Sequence, residues 1–230
     1  MPTVLETDMG LSLQRGLHRL WVDHVVWTRQ YVVSAIAGAP DAEAAAGRLL
    51  KNQEDIGNAI VPFYGAEAGA AVTGLLKEHI MIAVDLIDAA LKDDKERFND
   101  ADQRWDANAA EIAALLSSAN PFWPEKDVQD LLSLHLALTR REAVARLEGN
   151  WQDDVAAFDD ILTEILTLSD VLAAGIMKQF PVKFERQTGN GTGNGTGAAN
   201  GNGHGVTQAP EARTLTPEAS LLPPRAIRWR

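Results

Sequence analysis

The sequence predicts an all-α protein, an antiparallel up-and-down bundle of about six helices followed by a linker and a C-terminal peptide. Three observations carry this. Ala, Leu, Glu and Asp dominate and β-branched runs are few. Apolar residues recur with a period near 3.6. The periodic stretches are separated by brief Gly, Pro, Asn and Asp punctuation rather than by long loops, and short connections between long helices place neighbours antiparallel.

The first helix is expected from about Asp8 to Ala37, ended by Gly38-Ala39-Pro40. The second starts after Asp41 as N-cap and stops before Pro62, with PFYG as a turn. The third covers about Ala66–Lys92, and Asp93-Asp94 break it. The fourth covers about Lys95–Ser118, ended by Asn120-Pro121. The fifth begins near Pro124, which suits a first-turn position, and runs to about Glu148. Gly149-Asn150 offers a C-cap followed by an N-cap, although a continuous kinked fifth–sixth helix is the alternative. The sixth runs from Trp151 to about Gln179, closed by Pro181. The bundle thus spans 8–183, the linker 184–206 and the terminal peptide 207–230. No solenoid repeat stands out.

The chain has 230 residues, long enough for one sizeable core. It has no cysteine, which removes disulfides and thiol chemistry and fits a reducing cytoplasm. The opening MPTVLETDMG has neither a basic nor an apolar leader region. No apolar run approaches the roughly 20 residues that span a bilayer. Net charge is −11. The segment from Gln208 onward carries four Arg against two Glu, so the acidity resides in the body. An acidic body repels phosphates and anionic membranes, which argues against nucleic-acid binding.

Polar residues interrupt the apolar stripes at matching heights. His24 falls in phase with Leu13, Leu17, Leu20, Trp27 and Tyr31. His79 shares the stripe of Val72, Leu75, Ala83 and Leu86, and His135 that of Val128, Leu131 and Leu138. Gln53 lies between Leu49 and Ile56, and Asn108 between Trp105 and Ile112. Each of these groups stands about 14–15 residues from a helix turn, and equal distance from a shared turn means equal height in antiparallel neighbours. His24, Gln53 or Asp55, His79, Asn108 and His135 are therefore expected in one mid-bundle layer, with Thr163 or Glu164 from the last helix. Glu142 is two turns along the face of His135, and Asp154 shares the phase of Phe158, Ile161, Ile165 and Leu168 nearer an end.

Buried imidazoles, amides and carboxylates must be satisfied. A metal ion is one solution. Imidazole nitrogen suits Fe, Zn, Mn, Cu and Ni, with His24, His79, His135, Asp55, Glu142 and Asp154 as candidate ligands. Redox or oxygen chemistry would then be the reaction class. A hydrogen-bond network that fixes helix register is the other solution, and it makes the chain a non-enzymatic interaction protein. No Glu-x-x-His pair, phosphate loop or Gly-x-Ser-x-Gly elbow occurs. The Trp residues at 21, 27, 105, 123 and 151 read as helix-packing residues, and Tyr64 as packing the bundle end.

The segments WVDHVVWTRQ (21–30), NQEDIGNAIVPFYG (52–65), KEHI (77–80) and KQFPVKF (178–184) resemble those of a family of small bacterial helical-bundle proteins of uncharacterised activity. The resemblance covers about residues 10–184 and implies a fold, not a reaction. Beyond it, GNGTGNGTGAANGNGHG (189–205) is too poor in apolar residues to offset chain entropy and is expected to be disordered. It ends in LTPEASLLPPRAIRWR, whose Leu215, Leu221, Leu222, Ile227 and Trp229 are apolar. An apolar peptide on a leash is a docking element for a groove on a partner. Linker and peptide together resemble the cargo-loading tails of encapsulin cargo proteins. Leu215-Thr216 and Ala219-Ser220-Leu221-Leu222 match their short Leu and Ser-Leu pattern, while Ala219 replaces a Gly and Pro223-Pro224 is an addition. The resemblance implies a shell or other protein partner bound through 207–230 and a location inside a protein compartment of the cytoplasm. Docking back onto the acidic body, disorder with no docking role, and weak contact of Trp229 and the arginines with a membrane surface are the alternatives.

Overall fold

The computed structural model describes residues 8–185. These form five α-helices and a closing 3₁₀ turn, with no strand among the described residues: α1 (Asp8–Ala37), α2 (Ala42–Leu91), α3 (Lys95–Ala119), α4 (Glu125–Glu148), α5 (Trp151–Gln179) and Pro181–Lys183. The linker from residue 186 onward and the docking candidates Leu215, Ser220, Leu221, Leu222, Ile227 and Trp229 lie outside the described residues.

The helix count is five rather than six because the second and third expected segments join. The chain stays helical through Pro62, and only Gly65, at φ 85 and ψ 170, leaves the helical region. Proline's fixed φ is itself helical, so Pro62 removes one N–H bond near the end of its arm without ending it. Its carbonyl accepts from Lys183 Nζ at 2.7 Å. Gly65 folds α2 back on itself, and Lys77 Nζ reaches Glu54 Oε1 at 2.6 Å across the two arms. Gly57 and Gly69 permit that approach. A Cβ on Gly57 would stand 2.6 Å from the Gly69 carbonyl oxygen and 1.9 Å from Thr73 Oγ1.

Caps decide the other ends. Gly38 and Gly149 leave their helices at φ 64 and 73, the left-handed geometry that favours glycine. Asp93 takes the same geometry at φ 54, and Asp94 then caps α3 by accepting from Arg97 N at 3.1 Å. Asn150 caps α5 and separates it from α4, its Oδ1 accepting from Asp153 N at 3.3 Å. Two end assignments differ from expectation. Asp41 precedes α2 but makes no side-chain cap bond, and Pro124 sits at the N-cap position rather than in the first turn.

α1, the two arms of α2, α3, α4 and α5 pack each against the next, and α5 closes the ring on α1. Three hairpins make up this ring: α1 with the first arm of α2, the second arm with α3, and α4 with α5. They are repeats. His79 follows His24 by 55 residues and His135 follows His79 by 56. The positive-φ residues Gly38, Asp93 and Gly149 keep the same spacing. So do buried positions: Leu17, Val72 and Val128; Trp21, Leu76 and Leu132; Val25, Ile80 and Leu136. The bundle is thus a threefold pseudo-repeat that the sequence reading does not anticipate.

Candidate functional site

Three imidazoles, one from each hairpin, converge inside the ring. His24, His79 and His135 are each 3–4 % exposed. The His24 and His135 ring centroids are 5.6 Å apart, and His79 stands 6.5 and 6.4 Å from them. In every hairpin the histidine comes from the first arm, and a polar side chain 29 residues later on the second arm holds its Nδ1.

The three anchors differ in chemistry. His79 Nδ1–H donates to Asn108 Oδ1 at 2.9 Å, and Asn108 is oriented by its own Nδ2–H bond to the Leu75 carbonyl at 3.1 Å. Trp105 Nε1–H donates to His79 Nε2 at 3.1 Å, so this ring is neutral with the proton on Nδ1. His135 Nδ1 lies 3.0 Å from Glu164 Oε2, while Glu164 Oε1 is buried with no hydrogen-bond partner. His24 Nδ1 lies 3.2 Å from Gln53 Nε2, which also donates to the Leu49 carbonyl at 2.8 Å; Gln53 Oε1 has no partner. No hydrogen-bond partner reaches Nε2 of His24 or His135 among the described residues.

Burial keeps His24 and His79 from charging. Burial, with His135 beside it, pushes the His79 pKa down to about 3. Burial, then His135 and His79, also holds His24 well below the ordinary histidine range. Neutral imidazole is the form that offers a lone pair. A cavity of about 20 Å³ adjoins the layer and is lined by all three histidines together with Thr28, Ala83, Thr139 and mainly aliphatic side chains.

The expected layer members Gln53, Asn108 and Glu164 are therefore at hydrogen-bond distance from the three histidines. Asp55 is not among them. It points outward and accepts from Lys51 Nζ at 2.6 Å, because two residues on a helix lie about 200° apart and Gln53 takes the inward position. Thr163 is exposed, about 100° around the helix from inward Glu164.

Glu142 and Asp154 are 1 % exposed but belong to a different cluster. Arg29 from α1 donates Nη1–H to Glu142 Oε1, and the same atom lies 2.8 Å from Asp154 Oδ1. Arg146 donates to Asp154 Oδ2 at 3.1 Å. Burial pushes the Glu142 carboxyl up to about 7, with Arg29 only partly offsetting it. These two candidates are thus consumed by guanidinium groups. Nothing local in the sequence marks Arg29, because its partners lie 113 and 125 residues away. Trp105, expected only to pack, is a donor to the layer. Tyr64 packs the bundle end, its hydroxyl donating to Gln179 Oε1 at 2.8 Å and accepting from Asn120.

As placed, no group of three or more His, Cys, Asp or Glu among the described residues has the geometry of a formed metal centre. Imidazoles sharing one tetrahedral ion would have centroids about 5 Å apart. Only the His24–His135 pair approaches that, and the Trp105 N–H covers His79 Nε2. No described helix is long and apolar enough to cross a membrane. No family model, curated protein or solved structure matches the chain.

Proposed function

We propose that the histidine layer binds one divalent first-row transition metal ion (Fe, Zn, Mn, Cu or Ni), with His24, His79 and His135 as ligands through Nε2. The observation that supports this is the triple anchoring: each converging ring is held at Nδ1 by a side chain of the neighbouring arm. Outer partners of this kind orient metal-ligating histidines and fix their tautomer. Asn108 and Glu164 already accept from Nδ1–H. Rotating the Gln53 amide by half a turn would let its orphaned Oε1 accept from His24 Nδ1–H, at the expense of the bond to the Leu49 carbonyl. A cation would also offset the buried Glu164 carboxylate, whose Oε1 has no partner. Binding requires His79 to move inward by on the order of 1 Å and to exchange the Trp105 N–H for the ion.

Elemental analysis of the untagged chain, purified without chelator, tests the reading beside His79→Ala and His135→Ala. Near one equivalent in the parent, lost in both variants, is the expected result. No metal in the parent, even after reconstitution, overturns it.

The Trp105–His79 hydrogen bond favours a second reading, a register network that fixes how the three hairpins align. It predicts no metal but a loss of stability in the same variants. In either case the 207–230 peptide is proposed to dock on a protein partner or shell, a reading that rests on its apolar and arginine-bearing sequence. Copurification of a large partner, lost on deleting 207–230, is the expected result.

A further inference from the structure

We infer that the cleft between the second and third hairpins, at the turn end of the bundle, seats the chain's own residues 227–230, Ile-Arg-Trp-Arg. The inference is independent of the metal reading. It gives the terminal peptide a place on its own bundle, from which a partner would have to draw it.

The repeat shows what the cleft lacks. It measures about 330 Å³, with Ala89, Ala90, Phe98, Val144 and Leu147 as its apolar lining and Asp93, Asp94 and Glu148 as its acidic one. Ala90, Lys95 and Phe98 are equivalent, 56 residues on, to Arg146, Trp151 and Asp154. In the third hairpin those three form one unit. Arg146 donates to Asp154 Oδ2 at 3.1 Å, and its guanidinium carbon lies 4.7 Å from the centre of the Trp151 ring. In the second hairpin a methyl group stands in the place of the arginine and a lysine in the place of the indole, and the cleft opens there.

The lining selects an occupant with both an apolar body and a positive charge. Val144 is 42 % exposed, and Phe98 is half-buried beside buried Ala89, Ala90 and Leu147, so an apolar floor faces water. The Asp93 and Glu148 carboxylates make no hydrogen bond or ion pair among the described residues, and Asp94 spends one oxygen on the Arg97 N–H. Lys95 is the one cation of the lining, against three carboxylates. Residues 227–230, which lie outside the described residues, carry no acid and supply both missing side-chain types, an indole and guanidinium groups. Laid extended, such a peptide turns Ile227 and Trp229 to one side and Arg228 and Arg230 to the other. With Trp229 on the floor, the long arginine stems reach the carboxylates of the rim.

Chain length permits the contact. The described bundle ends at Glu185, at the far end of α5 from Trp151, and the 29 residues of α5 rise about 43 Å. Residues 186–226 can span up to about 140 Å. A tether holds its end at an effective concentration on the order of 1 mM. A peptide with a Kd on the order of 0.1 mM would then be seated about nine-tenths of the time.

The test is limited trypsin digestion of the full chain, read by mass spectrometry, with protease dilute enough that cleavage tracks the open population. Cleavage after Arg228 reports the seat, and cleavage after Arg213, in the same chain but outside the seat, is the internal reference. Ala90→Arg puts the third hairpin's arginine into the cleft, and Val144→Lys adds a cation at an exposed position of its wall. Each should raise the ratio of Arg228 to Arg213 cleavage by about fivefold to tenfold. The parent ratio should hold over about a hundredfold dilution, because the seat is intramolecular. If Ala90→Arg fails to fold, Val144→Lys decides. Ratios unchanged in every folded variant overturn the inference and leave the partner reading of 207–230 standing. A parent ratio that climbs to the level of the variants on dilution overturns it in favour of the tail of a second copy. Failure of a partner to copurify bears on the partner reading alone.

Discussion

Two buried polar clusters lie within this bundle, and they solve the same problem oppositely. Around Arg29, two carboxylates are matched by two guanidinium groups, and Arg29 and Arg146 bond three of the four oxygens. Around His24, His79 and His135 there is one carboxylate, the nearby Arg140 is tied to Asp102 and Asp106 instead, Glu164 Oε1 and Gln53 Oε1 are orphaned, and no hydrogen bond reaches Nε2 of His24 or His135 among the described residues. The first cluster is complete as it stands. The second has unused donor capacity facing a void. That difference separates the sequence candidates: Glu142 and Asp154 serve the complete cluster, whereas the histidines and Glu164 form the one with room for a guest.

The largest expected effect comes from breaking the complete cluster. Arg29→Ala leaves Glu142 and Asp154 buried beside each other with only Arg146 for compensation. Removing one partner of a buried ion cluster costs about 3–5 kcal/mol, so urea unfolding at pH 8 should show a loss of that size. Metal stoichiometry should not change, since Arg29 touches no histidine nitrogen. A variant that keeps its stability would show the cluster to be slack.

Next in size is the pH response of Glu142. Its folded pKa is raised from 4.5 to about 7, so the folded state holds a proton that the unfolded state releases. Stability from this group is fully present below about pH 4.5 and is lost as pH rises through 7, by about 3 kcal/mol in all. Glu142→Gln cannot titrate and should abolish that alkaline loss. His79 has the opposite sign. His79 drops from 6.5 to about 3, so its stability is present above pH 6.5 and is lost as pH falls toward 3. Glu142→Gln should therefore flatten the alkaline limb of a stability–pH curve and spare the acid limb, while His79→Gln should do the reverse. Identical curves for the two variants would mean that the clusters are not independent.

The two clusters also differ in how far sequence reasoning reaches them. The histidine layer was legible because each member stands a fixed distance from a turn, and Gly38 and Gly149 mark two of those turns by the one backbone geometry that favours glycine. Height on a bundle follows from counting. Which of Gln53 and Asp55 faces inward does not, because an error of two residues in a helix end reverses the face. The ion cluster was illegible because Arg29 meets residues more than a hundred positions away on α4 and α5, and nothing local in WTRQ signals them. The join at Gly65 was hidden for another reason: Pro62 normally ends a helix, but it sits so near the end of its arm that one missing bond is tolerated. The threefold repeat was masked since the residue type changes at most equivalent positions, and few triplets besides the histidines, such as Leu20, Leu75 and Leu131, stay the same.

Glu164 sharpens the comparison at smaller cost. Glu164→Gln keeps an oxygen for His135 Nδ1–H and removes the buried negative charge, so stability without metal should change by less than about 1.5 kcal/mol. Metal affinity should fall about 10–100-fold, the usual cost of losing an orienting outer partner. An affinity that stays level while stability falls would place Glu164 in a structural network only.

The last variant is the most discriminating. Trp105 Nε1–H occupies the one lone pair that His79 would give to a metal. Trp105→Phe removes that donor and keeps most of the ring that packs in the core. If the layer is a register network, the variant loses a buried hydrogen bond and orphans His79 Nε2, costing about 1–3 kcal/mol with no compensation from any ion. If the layer is a metal site, the same loss appears in the apo protein. Metal then binds more tightly than in the parent, because His79 no longer has to exchange one partner for another, and added metal restores the melting temperature. Thermal melts of parent and variant, each with and without one equivalent of Zn(II), give the answer: recovery on metal addition sets the histidine layer apart from the Arg29 cluster as a binding site, and its absence makes both clusters purely structural.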